Sequence, residues 1–227
     1  MKKVIVISGG SDGLGKEIAK RLASEHTVII LSPDKEKLQG VANELKCDFR
    51  VCDVSNFDSI KSAIDSIGEK YGKIDCLINN AGLWIEGALE ENDASKIRAV
   101  IDVNTTGSIL LTKAVVPLMK VRKDGLIINV ISQAGIYAKA ERSVYTASKW
   151  ALTGFTKSLQ PELANNGIRV TGLYPGKMKT KMFEKLGLKK DMDDGLETTE
   201  VAKIVEFLLS SSKNVVFPEI GIKHINN

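Results

Sequence analysis

The sequence predicts an α/β fold in which a doubly wound parallel sheet of about seven strands lies between two layers of helices. Three observations lead there. Short β-branched or apolar runs alternate with amphipathic stripes along the chain, an order that favours parallel strands joined by crossover helices. The first run breaks into a glycine-rich turn that opens a helix. Later runs end on polar residues, namely Asp53, Asn79-Asn80 and Ser132, and the carboxyl edge of such a sheet is where ligands collect, at the switch in winding.

Residues 3–7 form the first strand, Ser8-Gly9-Gly10-Ser11-Asp12-Gly13-Leu14-Gly15 the turn, and residues 16–24 a helix with Ile18, Ala19 and Leu22 on one face. Gly9, Gly13 and Gly15 let the backbone approach a diphosphate closely, and the helix start offers it free N–H groups. Their spacing is G-x-x-x-G-x-G rather than G-x-G-x-x-G, so a merely tight turn remains an alternative. Strand 27–31, helix 34–45 and strand 47–52 follow, then a stripe at 60, 63, 64 and 67 and a fourth strand at 74–79. Residues 93–120 read as one long helix. Asn104 inside it is a poor helix former, serving a local bond or a site, and Pro117 should kink or end the helix. Strand 126–131, helix 143–165 and strand 168–174 come next, the last closing on Pro175-Gly176. The lysine-rich segment 177–197, helical in its middle, reads as a flap over the pocket or as a plain solvated connection. Helix 201–209 and a seventh strand within 214–225 complete one domain, 1–227, with no repeat or linker.

Composition narrows the function. The chain has 227 residues and is 43% hydrophobic, enough for one core; Lys+Arg 32 against Asp+Glu 28 gives only +4, with the charges scattered. With 5% aromatic residues and no finger or RNP pattern, nucleic acid is not an expected partner. Cys47, Cys52 and Cys76 are odd in number and lack C-x-x-C spacing, which argues against a disulfide framework and a zinc site. His26 and His224 lie far from any candidate nucleophile in sequence, against a Ser-His-Asp triad; no metal is expected. Four apolar residues after Met1-Lys2-Lys3 are too few for a signal h-region, and no unbroken run approaches the ~20 residues of a membrane span. The expectation is a soluble cytoplasmic protein without a membrane partner.

Tyr145 and Lys149, four residues apart, share a helical face. A phenol titrates near ~10 and serves as an acid and base when a nearby cation favours its phenolate. An amphipathic helix with tyrosine inward and lysine outward accounts for the pair equally simply. Other residues raise the odds. The chain resembles the short-chain dehydrogenase/reductase family, Rossmann-type and single-domain, from about residue 3 to 180. The likeness rests on S-G-G-S-D-G-L-G at 8–15, Asp53, N-N-A-G at 79–82, Asn104, Ser132 thirteen residues before Tyr145, Y-T-A-S-K at 145–149 and P-G-K-M-K-T at 175–180.

The resemblance implies an NAD(P)-dependent oxidoreductase that passes hydride between nicotinamide and a carbonyl or alcohol. It gives Tyr145 the acid/base role and Lys149 the nicotinamide ribose and a lowering of the tyrosine pKa. Ser132 would hold the carbonyl and Asn104 a relay water. It assigns Gly9, Ser11, Asp12, Gly13, Leu14 and Gly15 to the glycine turn around the diphosphate, Asp53 and Val54 to the adenine, and Asn80, Ala81 and Gly82 to the adenosine side and ribose. Pro175, Gly176, Met178 and Thr180 would border the carboxamide, while Asn79 reads rather as a brace between strands. At the 2′ position, Ser32 with Lys35 and Lys37 nearby speaks for NADP and Asp12 against it, a slight balance toward NADP over NAD. Trp84, Ile85, Ile136, Tyr137, Phe183 and Leu186 would line an apolar pocket, or pack loops and interfaces. Lys177, Lys179 and Lys181 would attract an acidic carrier, or keep a loop solvated. The resemblance also implies a homodimer or homotetramer, although the carboxyl terminus departs from the family's glycine-rich ending. Two other classes stay open: a non-catalytic dinucleotide-binding sensor or scaffold, and a methyltransferase, which would leave the Tyr/Lys pair unexplained.

Overall fold

The computed structural model describes residues 2–184, 187 and 191–226. Seven strands lie parallel in the order β3-β2-β1-β4-β5-β6-β7: β1 Val4–Ser8, β2 Thr27–Ser32, β3 Asp48–Val51, β4 Cys76–Asn79, β5 Gly125–Val130, β6 Ile168–Pro175 and β7 Glu219–Ile222. Winding reverses between β1 and β4. Strands β1, β4 and β5 are buried along their whole length, as expected of parallel strands covered on both faces.

Alternation of side chains sorts the core into two halves. Ile5 and Ile7 face one way, packing with Leu14, Ile18 and Leu22 of α1 (Gly13–Leu22), Leu38 and Val41 of α2 (Lys35–Leu45), and Val201, Val205 and Leu208 of α7 (Thr198–Ser210). Val4 and Val6 face the other, against Ile60, Ile64 and Ile67 of α3 (Phe57–Tyr71), Leu111, Val115 and Met119 of α5 (Ser108–Arg122), and Leu159 and Leu163 of α6 (Ser143–Ala164). Helix starts carry side-chain caps: Asp34 accepts from the Lys37 amide, Asn56 from Ser59, and Asp93 from Ser95 and Lys96 at α4 (Ala94–Ile101).

Three expectations need correction. The long helix is not uniform, because a π-helical turn, Asp102–Gly107, separates α4 from α5. Pro117 does not end α5, which runs on to Arg122. Pro117 and Lys113, whose carbonyl would have accepted its N–H, both lie on the exposed side, where water can serve the freed oxygen. By length and composition alone, the 29-residue stretch Ala94–Arg122 would suffice to cross a bilayer. An unbroken apolar run underestimates it because polar Asn104, Thr105, Ser108 and Thr112 interrupt the pattern; all four are buried here, and the stretch packs against the sheet and α6.

Under the carboxyl edge lies a buried polar layer. Asn79 and Asn129 face each other in register on β4 and β5. The Asn79 amide donates to Asn129 Oδ1 at 2.8 Å and to Thr112 Oγ1 on α5 at 2.9 Å, while Asn129 donates to Thr156 Oγ1 on α6 at 2.8 Å. Asn79 is thus a brace, as the sequence suggests. Asn79→Ala strips two buried partners at once, so unfolding free energy in urea should fall by about 1–3 kcal/mol, read as a lower midpoint at unchanged slope; a change within a few tenths would show that the layer carries no weight.

Candidate active site

The first βα turn is shaped by its neighbours across the switch point. Gly9 and Gly13 hold φ of +66° and +50°, conformations that glycine adopts without strain. A Cβ at Gly15 would strike the Gly9 carbonyl, and one at Gly10, a position that spacing alone does not single out, would strike Ile30. Ser8 Oγ accepts from the amides of Asn80 and Ala81, both at 3.0 Å, and the Asn80 side chain donates to the carbonyls of Ser8 (2.9 Å) and Gly9 (3.2 Å). N-N-A-G therefore braces the glycine turn. Asp12 caps α1 by accepting from the Gly13 amide at 2.7 Å, Leu14 points into the core, and Thr180 lies beside Gly13.

Around the end of β2, Ser11 Oγ donates to Ser32 Oγ at 3.1 Å. The nearest following acid, Asp34, caps its own helix and pairs with Lys37 at 3.0 Å. Asp53 is exposed and closes a turn, accepting from the Ser55 amide and hydroxyl, whereas Val54 is buried, with its carbonyl against Gly107. Gly176 extends the β6–β7 pairing through its amide to Ile222 O, and Met178 bridges to Leu196.

Beyond the switch point, four side chains meet. Ser132, two residues past β5, holds a φ of +134°, a strained value for serine, its Oγ accepting from the Ala134 amide at 3.1 Å. Tyr145 and Lys149 come from α6 and are 7% and 5% exposed. Lys149 Nζ donates to the Val130 carbonyl at 3.2 Å and stands 5.7 Å from the centre of the Tyr145 ring. Asn104 is wholly buried in the π turn. It accepts from the Leu83 amide at 2.7 Å and donates to Leu83 O at 3.0 Å and Ser148 Oγ at 3.1 Å. Gly82 faces Asn104 and Lys149, and a Cβ there would come within 3.4 Å of Asn104 Oδ1 and 3.8 Å of Lys149 Nζ.

Burial dominates the electrostatics. It pushes the Tyr145 phenol up to about 12, opposed by a hydrogen bond with Ser132 and by the charge of Arg142; it pushes the Lys149 ammonium down to about 8. The expectation that Lys149 lowers the tyrosine pKa is not met here. Both groups lose water together, and the ammonium is turned to a backbone carbonyl rather than to the phenol oxygen.

An aromatic wall adjoins Tyr145. The Trp84 ring lies 4.3 Å from it, centre to centre, and Phe183 meets Trp84 edge-on at 5.1 Å. Ile85 is buried with them, but Ile136 and Tyr137 are 39% and 65% exposed, and Leu186 lies outside the described residues. Lys177 pairs with Asp194 and Lys179 with Glu197, so these two lysines fasten the base of segment 177–197 rather than stand open to an acidic carrier. Among the described residues no cluster suits a metal ion.

A switch-point glycine turn facing a Ser/Tyr/Lys/Asn group on a seven-stranded parallel sheet is the arrangement of a Rossmann-type oxidoreductase. Sequence comparison carries this to the family. The sequence profile described as short chain dehydrogenase matches residues 3–191, and the chain belongs to that family. A 3-oxoacyl-(acyl-carrier-protein) reductase of Thermotoga maritima is 34% identical over 233 residues, covering 96% of this chain and 94% of that protein. Among solved structures, an alcohol dehydrogenase from the archaeon Thermococcus sibiricus, complexed with 5-hydroxy-NADP, superposes with a TM-score of 0.92 at 26% identity, covering 100% of this chain and 98% of that one. An actinorhodin polyketide ketoreductase with NADPH superposes with a TM-score of 0.90 at 29% identity, covering 98% and 96%.

Lys149 holds a buried charge, which costs stability. Lys149→Met should therefore raise unfolding free energy at pH 7 by about 1–3 kcal/mol, measured in urea. The folded-state pKa is depressed, so the wild type recovers stability relative to the variant as pH rises from about 8 toward the ordinary 10.5; a gap independent of pH would refute the assignment.

Proposed function

We propose that the protein is an NADP(H)-dependent oxidoreductase that interconverts a carbonyl and an alcohol, with Tyr145 as the general acid/base. The observation that carries this reading is that Ser132, just past β5, and Tyr145, on α6, come together at the carboxyl edge of the sheet, with Ser132 among the groups that favour the phenolate. The residues present fit a dinucleotide. Gly9, Gly13 and Gly15 leave room for a diphosphate at the start of α1, and the turn has no space for side chains at Gly9 or Gly15. Asp53 and Val54 would border the adenine, Asn80, Ala81 and Gly82 the adenosine side, and Pro175, Gly176, Met178 and Thr180 the carboxamide. At the 2′ position the Ser11 and Ser32 hydroxyls stand together, while the Asp34 carboxylate is engaged with Lys37, which favours a 2′-phosphate over a free hydroxyl.

When bound, the dinucleotide supplies or accepts the hydride. Ser132 holds the carbonyl oxygen, and Tyr145 donates its proton to that oxygen in reduction. Burial keeps the phenol protonated at neutral pH, ready to donate; as base, in the oxidative direction, it works better as pH rises. Lys149, charged below about 8, reaches the ribose. Asn104 fixes loop 81–83 and lines a proton path from Lys149. Trp84, Ile85 and Phe183 supply an apolar wall for the body of the substrate, with segment 177–197 as a flap across it. The same reading takes the protein as a single-domain cytoplasmic homo-oligomer. Its three free thiols suit a reducing compartment, and Trp150 on α6, 52% exposed, offers apolar area to a second copy.

Tyr145→Phe should leave NADPH affinity within about twofold while lowering turnover of a ketone panel by about 10²–10⁴-fold, followed by reduced-nicotinamide absorbance; near-normal turnover would remove Tyr145 from the role. Ser32→Asp should shift the NADPH-to-NADH ratio of kcat/KM toward NADH by about tenfold or more, since a carboxylate repels the 2′-phosphate and accepts the 2′-hydroxyl. An unchanged ratio would mean that the 2′ position is read elsewhere.

A further inference from the structure

Arg142, three residues before Tyr145 at the N-cap of α6, has no role in the chemistry above, yet the fold goes to some trouble to place it. Glu141 before it adopts φ +60°, a left-handed conformation unfavourable for a side-chain-bearing residue. The Glu141 carbonyl accepts from the Gly87 amide at 2.8 Å. The loop that carries Trp84 is thereby pinned to the loop that carries Arg142. The guanidinium consequently lies 5.1 Å from the centre of the Trp84 ring, whose other neighbours are Tyr145 and Phe183.

A guanidinium over an indole is attracted to the ring by its charge, and its N–H donors suit a carboxylate. Among the described residues, the ion pair that Arg142 makes is with Glu86, at 4.0 Å from Nε, beyond hydrogen-bond range. Glu86 balances charge without filling the fork. Arg142 also acts electrostatically on the Tyr145 phenol, which puts its charge within range of the reacting position. A second, independent donor waits beside it: Trp84 Nε1 is buried and has no hydrogen-bond partner among the described residues. An unpaired buried N–H is costly, and an acceptor carried in by a ligand relieves that cost. No side chain caps the start of α6, so its positive dipole end adds to the same preference for negative charge.

We propose that Arg142 determines specificity by binding a carboxylate on the substrate, so that the natural substrate is a keto acid or the corresponding hydroxy acid, with Trp84 Nε1 as a second donor to it. This rests on the carbonyl-reducing reading above. The reaction adds hydride to the carbonyl carbon and a proton to its oxygen; the carboxylate stays unchanged and serves only to orient the reacting carbon.

The test compares two matched pairs, phenylglyoxylate with its methyl ester and 3-oxobutanoate with its ethyl ester, in the wild type, Arg142→Gln, Arg142→Lys and Trp84→Phe. In the wild type the acid should exceed its ester in kcat/KM by about tenfold or more. Arg142→Gln should lower kcat/KM for the acid by about 10–100-fold, mainly through KM, as expected for a lost charge-assisted hydrogen bond, while the ester, which loses only the effect of that charge on the Tyr145 phenol, should fall about tenfold less and through kcat. Arg142→Lys should restore part of the preference. Trp84→Phe, which keeps a ring under the guanidinium and removes the N–H, should cost the acid more than the ester. Equal use of acid and ester by the wild type, or an acid preference that survives Arg142→Gln, would overturn the proposal. Binding separates it from the catalytic reading. In a Trp150→Phe background Trp84 is the remaining tryptophan, and phenylglyoxylate should perturb its fluorescence only when Arg142 is present. That response without turnover of either compound would uphold the carboxylate site and count against Tyr145 chemistry. Turnover of the esters with no response to the acid would do the reverse.

Discussion

The carboxyl edge of the sheet depends on how one buried amide is satisfied. Asn104 has no exposed surface, and an unpaired amide there would be costly. It resolves this by bonding the amide and carbonyl of Leu83 and the hydroxyl of Ser148, holding loop 81–83 on one side and α6 on the other. The widened turn Asp102–Gly107 presents it, and such π turns tend to occur at functional sites because they re-aim a side chain without ending the helix. Ser148 passes the restraint on, its hydroxyl donating to Tyr145 O at 2.7 Å.

A second polar layer lies beneath, in Asn79, Asn129, Thr112 and Thr156. It crosses from α5 through two adjacent strands to α6 and ties together the helices that carry Asn104 and Tyr145. Buried polar networks of this kind favour one arrangement of the groups they join; here both asparagine amides are paired, while Asn79 Oδ1 has no partner among the described residues. Above them the site departs from what stability alone would favour: a nearly buried ammionium at Lys149, a nearly buried phenol at Tyr145 and a strained Ser132. Such departures are tolerated where the surrounding structure over-determines them, and the two asparagine layers provide that rigidity.

Much of this was legible in residue order. The alternation of runs leads to the parallel sheet because a continuous apolar strand and a striped helix bury themselves in only a few ways. Gly9 and Gly13 are visible in sequence because their left-handed backbone favours glycine, and Gly15 because a side chain there would strike the Gly9 carbonyl. Asn104 stands out because it is a poor choice inside a helix. Other features left no such mark. Arg142 looks like any surface charge until the left-handed Glu141 and the Gly87 bond bring it over Trp84. Lys177 and Lys179 look available until Asp194 and Glu197 fold back upon them. Pro117 looks like a helix stop, but the rule that a proline breaks a helix weakens where solvent can take the freed carbonyl.

Residue order by itself determined the strand and helix order, the family and the glycine turn, because periodicity, backbone freedom and motif spacing are written along one dimension. Tertiary structure alone decided the signs and directions. Whether Tyr145 titrates above or below an ordinary phenol depends on how much water burial removes and on which carbonyl Lys149 faces. Which charges are already paired, and which donors still await an acceptor, depends on groups far apart in sequence. Desolvation and pairing are properties of a three-dimensional neighbourhood.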